Sequence, residues 1–207
     1  MDMYSMKISE GVERIDGVTA NSYLLTLDGK NILIDTGTAG GGKKIIDYFN
    51  KNGTKPDYVI VTHHHADHVG GLKEISERFN PEIYVPDLEM KIIRGEEDPP
   101  KPRSFFGRMI TGMLKFEPVK DVKPVSKASI PGIEEMATPG HTIGSTSYIV
   151  EDLHILFSGD AAVESGGELK INKSFSYEIN SAERSLEIIK GMKGYLVLPG
   201  HGDKVQL

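Results

Sequence analysis

The chain has 207 residues, 24 basic and 30 acidic side chains, a formal net charge of −6 and no cysteine. That length suits one domain or at most two small ones, and 38% apolar content is enough for a packed core. The missing cysteine excludes disulfides, thiolate metal ligands and a catalytic thiol, and the acidic balance argues against nucleic acid as a partner.

No apolar run approaches the ~18 residues of a membrane span. Met1 to Glu10 lacks the apolar stretch of a secretory signal, so a cytoplasmic protein is expected. Ser22–Thr26 and Asn31–Asp35 read as strands joined at Asp28-Gly29, a hairpin signal. A helix is predicted over about Lys43–Asn50, with Ile45, Ile46 and Phe49 on one face and Gly53 as its left-handed stop. Asp57–Val61 is a short apolar strand that runs straight into Thr62-His-His-His-Ala-Asp-His68. A helix from Gly70 to Phe79 and a strand over Glu82–Val85 follow, which is strand–helix–strand alternation.

Residues 86–120 break that rhythm and read as an insertion. Glu96 to Pro102 is charged and proline-rich, an extended loop. Phe105, Phe106, Met109, Ile110, Met113 and Leu114 then recur at amphipathic-helix spacing. That stripe is expected either to close over a substrate pocket, with Phe105, Phe106, Met109 and Met113 lining it, or to pack a homodimer through residues 104–116. Arg94, Lys101, Arg103 and Arg108 are interleaved with acids and read as a solvated face. Strands are predicted over Ile133–Ala137, Ser147–Val150, Leu153–Phe157 and Tyr195–Leu198. Asn180-Ser-Ala-Glu183 reads as a capping box opening a helix.

Four of seven histidines fall between residues 63 and 68. Imidazoles buried together are costly unless something satisfies their nitrogens, and a divalent ion does so. His63 and His65, two apart on an extended segment, point the same way and can share one ion. Asp67 and His68 lie where the chain turns into a helix and can reach a second. Nitrogen and oxygen donors suit zinc, manganese or iron. Three later turns end strands with a donor beside glycine: Pro139-Gly-His141, Ser158-Gly-Asp160 and Pro199-Gly-His201. Asn172 and Lys173, after the Asp160 turn, are candidates to meet substrate. His64 is read as exposed or supporting.

These motifs, together with Leu33-Ile-Asp35-Thr-Gly37, resemble those of the metallo-β-lactamase superfamily and span nearly the whole chain. The resemblance implies a single α/β (α+β) domain over residues 1–207, a four-layer αββα sandwich of two mixed sheets with helices outside. It implies two divalent metal ions, zinc favoured and iron or manganese as alternatives. His63, His65 and His141 would hold the first and Asp67, His68 and His201 the second, with Asp160 bridging and Asp35 supporting the His loop. Activity would come from a metal-bound hydroxide, with Asp67 catalytic as the proton acceptor. Lack of Cys and presence of Asp160 disfavour a dedicated β-lactamase, His65 disfavours a flavodiiron protein, and Val163 stands where lactonases carry Tyr. The expected function is glyoxalase II-like hydrolysis of a small-molecule ester, thioester or lactone, without the C-terminal glutathione-binding domain. The alternatives are a mononuclear-iron persulfide dioxygenase-like oxidoreductase and a non-catalytic metal-binding protein.

Overall fold

Runs of consecutive buried residues on the central strands set the architecture: Ile32 to Ile34, Val59 to Val61, Ile155 to Gly159 and Val197 to Pro199. The computed structural model describes residues 5–102 and 104–207, with the side chain of Phe106 outside the described set. The first half supplies β1 (Ser5–Ser9), β2 (Val12–Ile15), β3 (Ser22–Leu27), β4 (Lys30–Ile34), helix α1 (Ala39–Asn52) and β5 (Tyr58–Ile60). Helices α2 (Ala66–Val69) and α3 (Leu72–Phe79), β6 (Glu82–Val85), α4 (Met90–Ile93), α5 (Phe105–Met113) and β7 (Lys123–Pro124) follow. These seven strands form one sheet in sequence order, antiparallel through β4 and parallel from β4 to β7.

The second half supplies β8 (Glu134–Ala137), β9 (Thr146–Val150), β10 (Ile155–Gly159), the hairpin β11 (Val163–Ser165) and β12 (Glu168–Lys170), helix α6 (Ile179–Gly191), β13 (Leu196–Pro199) and β14 (Val205–Gln206). Five of these strands form a second sheet in the order β14-β13-β10-β9-β8.

Because side chains alternate across a strand, the sequence of each central strand divides between two cores. On β5 and just beyond it, Val59 and Val61 join the cluster that packs Ile45, Phe49, Leu72 and Ile75 of α1 and α3. Ile60 joins Ile32, Ile34, Tyr148, Phe157 and Leu198 between the two sheets. On β10 and β13, Leu156 and Val197 face Ile189 of α6 on the far side. Helix, sheet, sheet and helix therefore stack as four layers, the αββα sandwich expected.

Two helix starts differ from the sequence reading. Helix α1 begins at Ala39, not Lys43, because Thr38 caps it by accepting the Gly41 N–H at 3.4 Å. Helix α6 begins at Ile179, and its cap is Glu178, whose carboxylate accepts the Asn180 and Ser181 N–H groups at 3.1 and 2.6 Å. A carboxylate two residues earlier wins over Asn180 because it reaches two of the free donors of the first turn.

Candidate metal centre

The chemistry-bearing side chains come from strand ends at one edge of the sandwich. The first sheet contributes the segment after β5, with His63, His65, Asp67 and His68. The second contributes His141 after β8, Asp160 after β10 and His201 after β13. Gly200 is needed here: a Cβ at that position would lie 2.4 Å from Asp160 Oδ1 and 2.7 Å from His68 Cε1.

Three groups of potential ligands result: His63, His65 and His141; His63, His68 and Asp160; and Asp67, His68 and His201. Within each group the donor atoms lie within 4.8 Å of one another. His65 Nδ1 and His141 Nε2 are 2.9 Å apart, and His201 Nε2 is 3.2 Å from Asp67 Oδ2. Asp160 sits between the two outer groups, 3.4 Å from His68 and His141 and 3.5 Å from His201.

Asp35 organises the first loop. Its carboxylate accepts the Thr62 N–H at 2.8 Å, the Thr62 hydroxyl at 2.7 Å and the His68 Nδ1–H at 2.7 Å. Since the Thr62 hydroxyl spends its proton on Asp35, its oxygen accepts from His63 Nδ1 at 3.0 Å. Both rings are thereby held by Nδ1 with Nε2 turned to the centre, the orientation that support behind a metal-binding imidazole gives.

Those nitrogens fit a cation. His63 Nε2, His68 Nε2, His141 Nδ1 and Asp160 Oδ1 are buried without a hydrogen-bond partner, and each such group costs about 1–3 kcal/mol. Burial and the neighbouring imidazoles hold His63 well below the usual histidine range. At His68 burial acts the same way, but Asp35 and Asp160 outweigh it and hold the ring well above that range. Burial would raise Asp160, yet His68, His141 and His201 keep it ionised well below the usual carboxylate range. Burial likewise lowers His65 and His141, so three neutral imidazoles stand beside the ionised Asp160, a donor set for divalent ions with nitrogen and oxygen preference.

The family profile of the metallo-beta-lactamase superfamily matches residues 15–201. The chain belongs to the metallo-beta-lactamase superfamily. A probable metallo-hydrolase of Methanocaldococcus jannaschii is 33% identical over 190 residues, covering 90% of this chain and 89% of that protein. A hydroxyacylglutathione hydrolase of Shewanella loihica is 30% identical over 138 residues, 67% of this chain and 45% of that protein. The crystal structure of TTHA1623 in a di-iron-bound form shares the fold, with a TM-score of 0.74, 22% identity and coverage of 93% and 92% of the two chains.

On this superfamily scaffold a cleft of about 500 Å³ opens over the centre. His65, Asp67, His141, Asp160 and His201 form its floor, and Pro99, Pro100, Ile110, Leu114, Phe116 and Phe175 form apolar walls. Asn172 lines it as expected, whereas Lys173 points elsewhere and pairs with Glu183 at 3.1 Å. The expected apolar lining from α5 is turned outward: Phe105, Met109 and Met113 are 85%, 47% and 75% exposed. The reason is local. Ser104 Oγ caps α5 at the Gly107 N–H and donates to Ser174 O at 2.6 Å, and a Cβ at position 107 would meet that carbonyl at 2.3 Å. The glycine face of the helix therefore docks, and Ile110, Thr111 and Leu114 turn to the cleft. The Phe106 side chain and Arg103 lie outside the described residues. Lys101 and Arg108, read as solvated, border the cleft.

Of the two readings offered for His64, exposed or supporting, the structure excludes the first, and Glu89 was missed. His64 is buried and its Nδ1 pairs with the wholly buried Glu89 carboxylate. Burial would raise the Glu89 carboxyl, but the His64, Thr142 and Gly144 donors hold it below the usual range. Two tyrosines were also missed. Tyr148 donates to Val61 O at 2.6 Å and Tyr23 to Pro199 O at 2.8 Å, each just ahead of a ligand turn. Only the apolar alternation of their strands marked them, and that says core rather than support.

Proposed function

We propose that this chain is a metal-dependent hydrolase that holds two divalent ions and cleaves a small ester, thioester or lactone. The observation that carries the reading is the pair of outer ligand groups with Asp160 between them, on the floor of a cleft with apolar walls. His63, His65 and His141 would hold one ion and Asp67, His68 and His201 the other, with zinc favoured and iron or manganese as alternatives. Ions held there would supply an activated water at neutral pH and polarise a carbonyl oxygen. The chain's own groups do the rest. Asp35 and Thr62 keep the imidazoles oriented. Ile110, Leu114 and Phe116 receive the acyl portion. Asp67, on the floor of the cleft, would take a proton on the carboxylate oxygen that the ion leaves free and return it to the leaving group.

Apolar walls suit an acyl chain or ring, and an ester or thioester leaving group needs less protonation than an amine. The experiment pairs elemental analysis of protein purified without chelator with kcat/KM for a substrate panel. Two divalent ions per chain are expected, with thioesters, lactones and aryl esters ahead of β-lactams and phosphodiesters. A panel led by penicillins or bis-aryl phosphodiesters overturns the substrate class and leaves the centre standing. One tightly held iron with thiol-dependent oxygen uptake replaces the hydrolase by the oxidoreductase reading.

A further inference from the structure

We propose that Glu89 is a positioning residue that fixes the distance between the two loops carrying His63, His65 and His141. Through those loops it sets the affinity of one ion site, and it touches neither ion. The inference rests on the two-ion reading above.

Glu89 ends the single turn that follows β6, and its carboxylate is completely buried. Oε2 accepts the His64 N–H at 3.0 Å and pairs with His64 Nδ1. Oε1 accepts the Thr142 hydroxyl and the Gly144 N–H, both at 2.7 Å. Four donors saturate the roughly four lone-pair directions of one carboxylate. They are divided evenly: two from the residue between His63 and His65, two from the loop just after His141. The same side chain therefore spans the first sheet's loop and the second sheet's loop, at the point where His65 Nδ1 and His141 Nε2 stand 2.9 Å apart. Gly144 leaves the space that this approach needs, since a Cβ there would lie 2.6 Å from Glu89 Cγ.

The other outer group is held by different residues. The His68 carbonyl accepts from Thr36 N and Oγ1 at 2.7 and 2.9 Å, and its ring donates Nδ1–H to Asp35 at 2.7 Å. The His201 turn is held by Asn21, whose amide donates to Pro199 O and Gly202 O at 2.9 and 2.8 Å. Loss of Glu89 should consequently act on one ion and spare the second, which general destabilisation would not do.

The test is Glu89→Gln, which keeps the shape and replaces one acceptor oxygen by a donor that faces two other donors. Zinc affinities of the intact protein are measured by chelator competition, and the ligand field of each site by the absorption of the cobalt-loaded protein. The expected result is a 10–100-fold weaker affinity at one site, the range for loss of a group behind a ligand, with a changed cobalt spectrum and the second affinity unchanged. In metal-free protein, the His64 and Gly144 amides should exchange hydrogen faster while α1 and α6 keep their protection. Thr142→Val, which removes a single donor, should give a smaller loss at the same site and serves if Glu89→Gln does not fold. Unchanged affinities and amide exchange, or equal losses at both sites, overturn the proposal. A wild-type chain that binds fewer than two ions defeats the two-ion reading instead, and amide exchange in the metal-free variant then decides whether Glu89 couples the loops.

Discussion

The ligand loops and the segment from Glu96 to Phe116 face each other across one cleft and are built in opposite ways. Behind the loops the supporting carboxylates are buried and tied to partners from distant parts of the chain: Asp35 to Thr62 and His68, Glu89 to His64 and Thr142. In the segment, α5 is fastened mainly by Ser104 to Ser174 and by Arg108 Nε to Pro102 O at 2.8 Å, while an apolar stripe stands in solvent. A centre that must present several donors to one point needs over-determined geometry. A wall that receives substrate needs only a surface of suitable polarity, and loops on a rigid scaffold carry that role.

The contrast can be broken first at Asp67. Asp67→Asn in metal-replete protein should lower kcat at least ~10²-fold, the lower end for general acid–base catalysis, with little change in thermal unfolding. Steady-state kinetics beside a metal assay checks it, and near-normal kcat removes Asp67 from proton transfer. The other side of the contrast is sharpened by replacing residues 96–116 with a short Gly/Ser linker. Metal content should persist, while KM for bulky acyl substrates rises about tenfold, equivalent to ~1.4 kcal/mol of lost apolar contact. Loss of folding would show that the segment belongs to the core.

Smaller effects separate support from surface. Tyr148→Phe should destabilise by about 1–3 kcal/mol, because the buried Val61 carbonyl loses its donor. Burial holds the Tyr148 hydroxyl well above its ordinary value of 10.0. A group raised on folding stabilises below its unfolded pKa and loses that contribution as pH rises. Metal-free wild type should thus lose stability above about pH 10, and the Phe variant should lose it less steeply. Denaturant melts across that range give the slopes. Phe105→Ser, on the outward stripe, should change stability by less than ~0.5 kcal/mol. A larger loss in dilute solution, or a change in sedimentation, would reveal that the stripe is covered by another chain.

How far these regions were legible follows from how local their causes are. The hairpin at Asp28-Gly29 and the His cluster at the end of β5 announce themselves within a few residues, so strands and ligand candidates could be read directly. Glu89 could not, because its partners lie 25, 53 and 55 residues away in sequence and nothing beside it marks a buried carboxylate. On α5 the apolar stripe suggested an inward face. The side that docks was decided by a missing Cβ at Gly107 and a carbonyl at Ser174, a steric fact that hydrophobic spacing does not encode. The short hairpin β11–β12 escaped notice for a related reason: three-residue strands carry too little alternation to stand out.

Each sheet is drawn from its own half of the chain, residues 5–124 for the first and 134–206 for the second, and the ligand groups straddle the seam between them. Ions held there would act as a clasp that closes the book of two sheets. Any species that binds the folded chain and not the unfolded one raises its stability by mass action. Metal supply would then govern how long the halves stay shut as well as whether the chain can do chemistry. Because His141, Asp160 and His201 must all reach the His loop of the other half, the clasp can fasten only after both sheets have formed, and a chain caught before that step would carry two finished leaves and no hinge pin.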